Sequence, residues 1–165
     1  MKIVTFLNKV NKLDWKPIAD QLMSSENGYA WTAQQTEVAI ADYKMFLCLH
    51  FLFPNMELIP TKEVDGVWHT HILLDTYQYI QDCHNLYGYI LHHRSPIGSN
   101  NDSKRQNQDI GFVLTQALFN KVIQLGICKN INQTTSYETL PMCSSLSRQS
   151  SACLTLPKNQ LLTIN

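Results

Sequence analysis

The chain has 165 residues, 44% of them hydrophobic, and 13 basic side chains against 13 acidic ones, for a formal net charge of zero. That is enough apolar material for one domain with a real core, and the absence of a basic face argues against a nucleic-acid partner. No apolar run approaches the roughly 18 residues of a membrane span.

The N-terminal stretch carries a five-residue apolar run, Ile3 to Leu7. A secretory signal needs about 7–15 apolar residues, so a cytoplasmic location in the source cell is expected, with secretion by a signal-less route as the other option. Five cysteines cannot all pair within one chain, and none stands in a Cys-x-x-Cys pair. Reduced thiols are therefore expected, with Cys48 and Cys83 acting as small buried groups inside helices.

In chain order, Leu13 to Met23 predicts a short helix with Trp15, Ile18 and Leu22 on one side. Thr32 and Gln35 have the spacing of a capping box. A long helix is expected from Ala33 to Phe53, with an apolar stripe of Val38, Ala41, Met45, Leu49 and Leu52, and with Pro54 as its stop. Phe46 to Phe53 is apolar nearly all round, which places that half at the centre of the fold. Thr61 is a good N-cap for a helix over residues 62–73. Asp75 or Thr76 caps a further helix to Tyr87, and Gly88 suits the left-handed position beyond its end. Residues 107–125 predict a last helix, closed by Gly126. The expected fold is all-α: a compact bundle of about five helices over residues 1–126. Residues 127–165, rich in Ser, Thr, Asn and Gln, read as a poorly ordered tail.

Residues 65–93 hold five of the six histidines, with three aspartates, four tyrosines and Cys83. Ionisable groups on buried helices need one another, a metal or a ligand. At about 100° per residue, Asp65, Trp68 and His69 share one helix face and His71 points the other way. His69 and His71 thus cannot both reach one ion, whereas Asp65 and His69 can meet. On the next helix, Tyr79, Asp82, Cys83 and Leu86 share a face, and Gln78, Gln81 and Asn85 form a solvent stripe. Three readings stand open. The residues Asp65, Trp68, His69, His71, Tyr79, Asp82 and Cys83 can satisfy one another as a polar core. His69 and Cys83, with His92 or His93, are nitrogen and sulfur donors suited to zinc or iron, and Asp82 and Asp65 could ligate or support. A metal-free pocket is the third. Trp68 reads as a core anchor, and His50 as a satisfied core or rim histidine.

The run Val64-Asp65-x-x-Trp68-His69-x-His71-Ile72-Leu73, followed by Tyr79-x-x-Asp82-Cys83, Gly88 and His92-His93, resembles the glycine-rich domain-containing protein-like family. That module occurs alone in bacteria and as the N-terminal part of plant glycine-rich domain proteins. Upstream, Tyr43-x-x-Phe46-Leu47 is similar as well, and so is Ala117-Leu118-Phe119 downstream. Prolines and aromatic residues expected after the double histidine are replaced by Arg94-Ser95-Pro96-Ile97. The resemblance implies a compact helical domain and assigns no reaction. The functional expectation is a non-catalytic module that binds a protein or small molecule, with the cluster as structural glue. The alternatives are a zinc or iron protein with hydrolytic or redox chemistry, and a secreted effector.

Overall fold

A computed structural model describes residues 1–26, 28–94, 102–127, 151 and 154–155, with only the backbone described at 102–108 and 154–155. The fold is all-α, with six helices among the described residues: α1 (Ile3–Asn11), α2 (Lys16–Met23), α3 (Ala33–Leu52), α4 (Lys62–Leu74), α5 (Thr76–Tyr87) and α6 (Asp102–Gln124). The one strand pair among the described residues joins β1 (His93–Arg94) to β2 (Leu154–Thr155), antiparallel, with His93 opposite Thr155 and Arg94 opposite Leu154. No helix is long and apolar enough to cross a membrane among the described residues.

Local chemistry sets the helix ends. Thr32 accepts from the Gln35 amide while the Gln35 side chain reaches back to the Thr32 amide, so the capping box predicted at the start of α3 is present. Thr61 caps α4 and Asp75 caps α5, each through a side-chain oxygen. Gly88 ends α5 at φ 79, where a side chain would be strained. Gly28 turns back so closely on the Gln21 carbonyl that a Cβ there would collide with it.

Helix α3 is the centre of the core. Met45 through His50 are buried without interruption, and α1, α2, α4 and α6 all pack against α3. The predicted stripe needs correction in its first two turns. Thr36, Ala39, Ile40 and Tyr43 face the core, while Val38 and Ala41 are half-buried at its edge. Polar Thr36 and amphipathic Tyr43 concealed that face from an apolar count.

Helix α1 is a second correction, since residues 3–11 were not expected to form an element. Phe6, Leu7 and Val10 lie three and four apart and are all buried. Phe6 stacks on Phe51 with ring centroids 4.3 Å apart, and its ring also approaches Tyr87 at 5.5 Å. An isolated nine-residue helix is marginal in water, so this packing is what stabilises it. In the tail, Ser151 is buried and Leu154–Thr155 pair with β1. The remainder of the predicted tail, apart from Ile127, lies outside the described residues, as do Cys128, Cys143 and Cys153.

Phe6→Ala should lower unfolding free energy by about 3–5 kcal/mol, because it leaves a cavity between α1, α3 and α5. Urea unfolding followed by circular dichroism checks this; a loss below about 1 kcal/mol would mean α1 is not part of the core.

Candidate functional site

Helix α4 is held between α3 on one side and α5 on another, with α2 also against it. Its inward face carries Val64, Val67 and Trp68, and Trp68 is 0% exposed. Two sets of polar groups leave this helix in different directions.

The first set lies inside. His71 Nδ1 meets the Tyr43 hydroxyl at 3.1 Å, and His71 Nε2 meets Asp82 Oδ2 at 3.1 Å. Gln78, one turn before Asp82 on α5, donates to Asp82 Oδ1 at 2.8 Å. Beside this chain, Trp68 Nε1 donates to the Tyr79 hydroxyl at 2.9 Å, and that hydroxyl donates to the Leu91 carbonyl. Tyr43, Trp68, His71, Tyr79 and Asp82 therefore each have a partner on another element, which pins α3, α4, α5 and the 89–92 connection together. Burial pushes the Tyr43 and Tyr79 phenols up, so both stay protonated donors. Of the residues expected to satisfy one another, Trp68 bonds to Tyr79 and His71 to Asp82 in the interior. His71 links α3 to α5.

Cys83 belongs to this interior. It is buried, and burial pushes its thiol up, outweighing hydrogen bonds with the Leu91 backbone and Tyr79. A thiol held protonated is a poor nucleophile and a poor metal ligand.

The second set lies at the rim. His93 Nε2 meets Asp65 Oδ1 at 2.7 Å, and His69 Nε2 stands 3.6 Å from Asp65 Oδ2. The two imidazoles meet edge to face with centroids 4.4 Å apart, and His93 also packs edge-on against Trp68 at 4.4 Å. Burial alone would raise the Asp65 carboxyl. Hydrogen bonds from His93 and Ser151, and then the charges of His93 and His69, outweigh it and hold the group below the usual carboxylate range. Asp65 is thus an anion with two imidazoles aimed at it. One ligand atom from each of Asp65, His69 and His93 fits within a 4.8 Å sphere of mutual separation, and no other trio of His, Cys, Asp or Glu does so among the described residues. The rings of Tyr29 and Trp31 lie tilted against each other with centroids 4.9 Å apart, and both press on Gly66, where a Cβ would sit 3.2 Å from Tyr29 Cζ. These aromatics wall one side of the α4 segment that carries Asp65.

The sequence-predicted metal set is therefore revised in part. His69 and His93 come together; Cys83 is in the core and His92 is exposed. Asp65, one of the two carboxylates expected to ligate or support, is the third member of the trio. Tyr43, Gln78 and Ser151 were not singled out as partners by sequence reasoning. Tyr43 could have been found, since a phenol on a buried helix face needs a partner; nothing in the spacing pointed to Ser151.

His50 is 0% exposed, with Nε2 3.2 Å from the Tyr89 hydroxyl and Nδ1 unpartnered. It is only half satisfied, contrary to expectation. His84 is exposed on α5.

Comparison with family models, with curated proteins and with solved structures returns no match.

Two outcomes follow from the interior groups. Tyr79→Phe leaves the Trp68 indole N–H and the Leu91 carbonyl without their shared hydroxyl, and should cost about 1–3 kcal/mol of unfolding free energy; an unchanged urea midpoint would remove the hydroxyl from the core account. Burial lowers His50 from 6.5 to about 4. The unfolded chain then binds the extra proton first, so the neutral-His50 contribution is complete above pH 6.5 and drains away as pH falls toward 4. Stability should drop with a slope of up to about 1.4 kcal/mol per pH unit in that window, and His50→Leu should flatten it. Urea titrations at pH 7, 6, 5 and 4 report this directly.

Proposed function

We propose that this protein is a small helical module that holds one divalent metal ion, zinc or iron(II), through Asp65, His69 and His93. The observation that carries the reading is the convergence of two imidazole Nε2 atoms on one carboxylate that is held ionised at the rim of the fold. Two imidazoles and one carboxylate are a donor set shared by catalytic zinc sites and by non-haem iron(II) sites. Ligand atoms about 2.0–2.1 Å from a tetrahedral ion stand about 3.4 Å apart, and one atom from each of the three residues lies within 4.8 Å of the others, so the side chains would have to close on the ion.

Three protein donors leave at least one coordination position for a small molecule or for a donor from a partner. That is the binding role expected of the module. The buried His71, Asp82 and Tyr79 network takes the role of structural glue and stays outside the metal chemistry. A thiol mechanism at Cys83 is not part of the proposal. The trio also has a metal-free alternative, in which Asp65 simply links the two histidines; metal analysis separates the two.

On the strength of its motif we also propose that the chain is a divergent relative of the glycine-rich domain-containing protein-like family. Asp65, His69 and His93 all fall within the motif residues that carry the resemblance.

Elemental analysis of full-length protein purified without an affinity tag, after equilibrium dialysis against zinc(II) and, anaerobically, iron(II), should find close to one ion per chain. His69→Ala and His93→Ala should weaken binding by more than the about 10–100-fold typical of outer partners, and Cys83→Ala should leave it intact. Absence of bound metal in the wild-type chain, or loss of it in Cys83→Ala with retention in His69→Ala, would overturn the reading.

A further inference from the structure

Helix α6 is apolar on two sides, and among the described residues only one of them is covered. Its inner face is fixed to the core. Thr115 and Val122 are buried there, and the Thr115 hydroxyl accepts from the Ile59 amide at 3.0 Å and donates to the Gly111 carbonyl at 2.8 Å. Gly111 lies so close to Ile59 that a Cβ would stand 2.8 Å from the Ile59 Cδ1. The outer face carries Ile110 at 66% exposure, Val113 at 67% and Leu114 at 42%. A helix that is apolar on both sides is normally covered on both. Asp109, Val113, Ala117 and Lys121 are all exposed and stand four apart, so they form one ridge of this outer face. The ridge has an acidic end, an apolar middle and a basic end, and Ile110 and Leu114 lie on the next ridge beside it.

We propose that this ridge pairs with the same ridge of a second copy of the chain, in antiparallel sense, to form a two-fold symmetric dimer. The pairing is independent of the metal reading. Two helices whose four-apart ridges interdigitate cross at about 50°, the commonest packing class in globular proteins, and the ridges then run side by side. In a two-fold interface, a residue i that meets j of the partner has j meeting i in return. Positions 109 and 121 lie equally far from residue 115, as do 113 and 117. Antiparallel pairing about that centre sets Asp109 of each copy beside the Lys121 of the other, and Val113 beside Ala117. Each contact occurs twice. A parallel pairing would place like charge level with like charge, and an unrelated partner does not require the symmetry that the ridge has. Within one chain the two charged ends are about 18 Å apart along the helix, beyond a Debye length in physiological salt, so they find no compensation there from each other. One helix face is at the small end of stable interfaces, so the dimer forms in a concentration-dependent way.

Sedimentation equilibrium of the full-length, untagged chain over a concentration series, with a chelator present so that no metal bridges two copies, tests the pairing. The wild type should pass from monomer to dimer as concentration rises. Val113→Glu, with helical circular dichroism unchanged, should weaken the dimer by more than about tenfold, because it presses a carboxylate into the apolar middle of the ridge. Asp109→Lys alone and Lys121→Asp alone should each weaken it roughly 2–30-fold, since two exposed ion pairs become like-charge contacts. The double exchange should restore the wild-type dissociation constant, a rescue that a merely damaged fold does not give. A wild type that stays monomeric at every concentration overturns the proposal: if Val113→Glu then lowers the urea midpoint, another part of the same chain covers the face, and if it does not, the face serves a different protein or none. A dimer that survives Val113→Glu uses another surface and overturns it as well. A dimer that the double exchange does not restore overturns the antiparallel ridge pairing.

Discussion

The helical turn of α4 is the constraint on which the rest depends. At about 100° per residue, His69 and His71 leave the same helix in opposing directions. His71 enters the core and must be satisfied there, and it is, by Tyr43 on one nitrogen and Asp82 on the other. His69 leaves toward the rim, on the face of Asp65, where β1 brings His93. A cluster that looks continuous in sequence is thereby divided into a buried network and a partly open site. Trp68, between them, belongs to both: its indole N–H enters the core network and its ring backs His93.

This division explains why the two sets have different chemistry. The interior groups are spent on one another. Removing any one would orphan a buried partner, so they serve geometry rather than reaction. The rim groups retain spare capacity. Asp65 is a carboxylate with several acceptor directions, and the His69 side chain is 43% exposed. An ion can approach from solvent, while the Tyr29 and Trp31 rings and the Ser151 segment shape the neighbouring surface.

Much of the fold was legible in the sequence because its helix ends are marked by side chains: Thr32 with Gln35, Thr61, Asp75 and Gly88. The buried α5 face of Tyr79, Asp82, Cys83 and Leu86 followed from helical spacing alone, because all four are large enough or polar enough to need burial with partners. Helix α1 was not legible, since it is short and stabilised by rings that come from α3 and α5. The candidate site was half legible. Asp65 and His69 are neighbours on one helix and were readable by spacing. The choice of His93 over His92, and of a carboxylate over Cys83, depends on how β1 lies against α4 and on how deeply α5 buries its thiol. Those are tertiary facts without a local signature. Ser151 is the extreme case, arriving from more than eighty residues away.

The most direct measurement of the central claim is the imidazole nitrogen spectrum of the full-length, untagged chain during a zinc(II) titration. The account predicts that two of the six histidines change together at one equivalent of metal. They are His69 and His93, each through Nε2, while His50, His71, His84 and His92 keep their metal-free resonances. A spectrum in which His71 or His92 responds in their place, or in which no histidine responds at one equivalent, would contradict it.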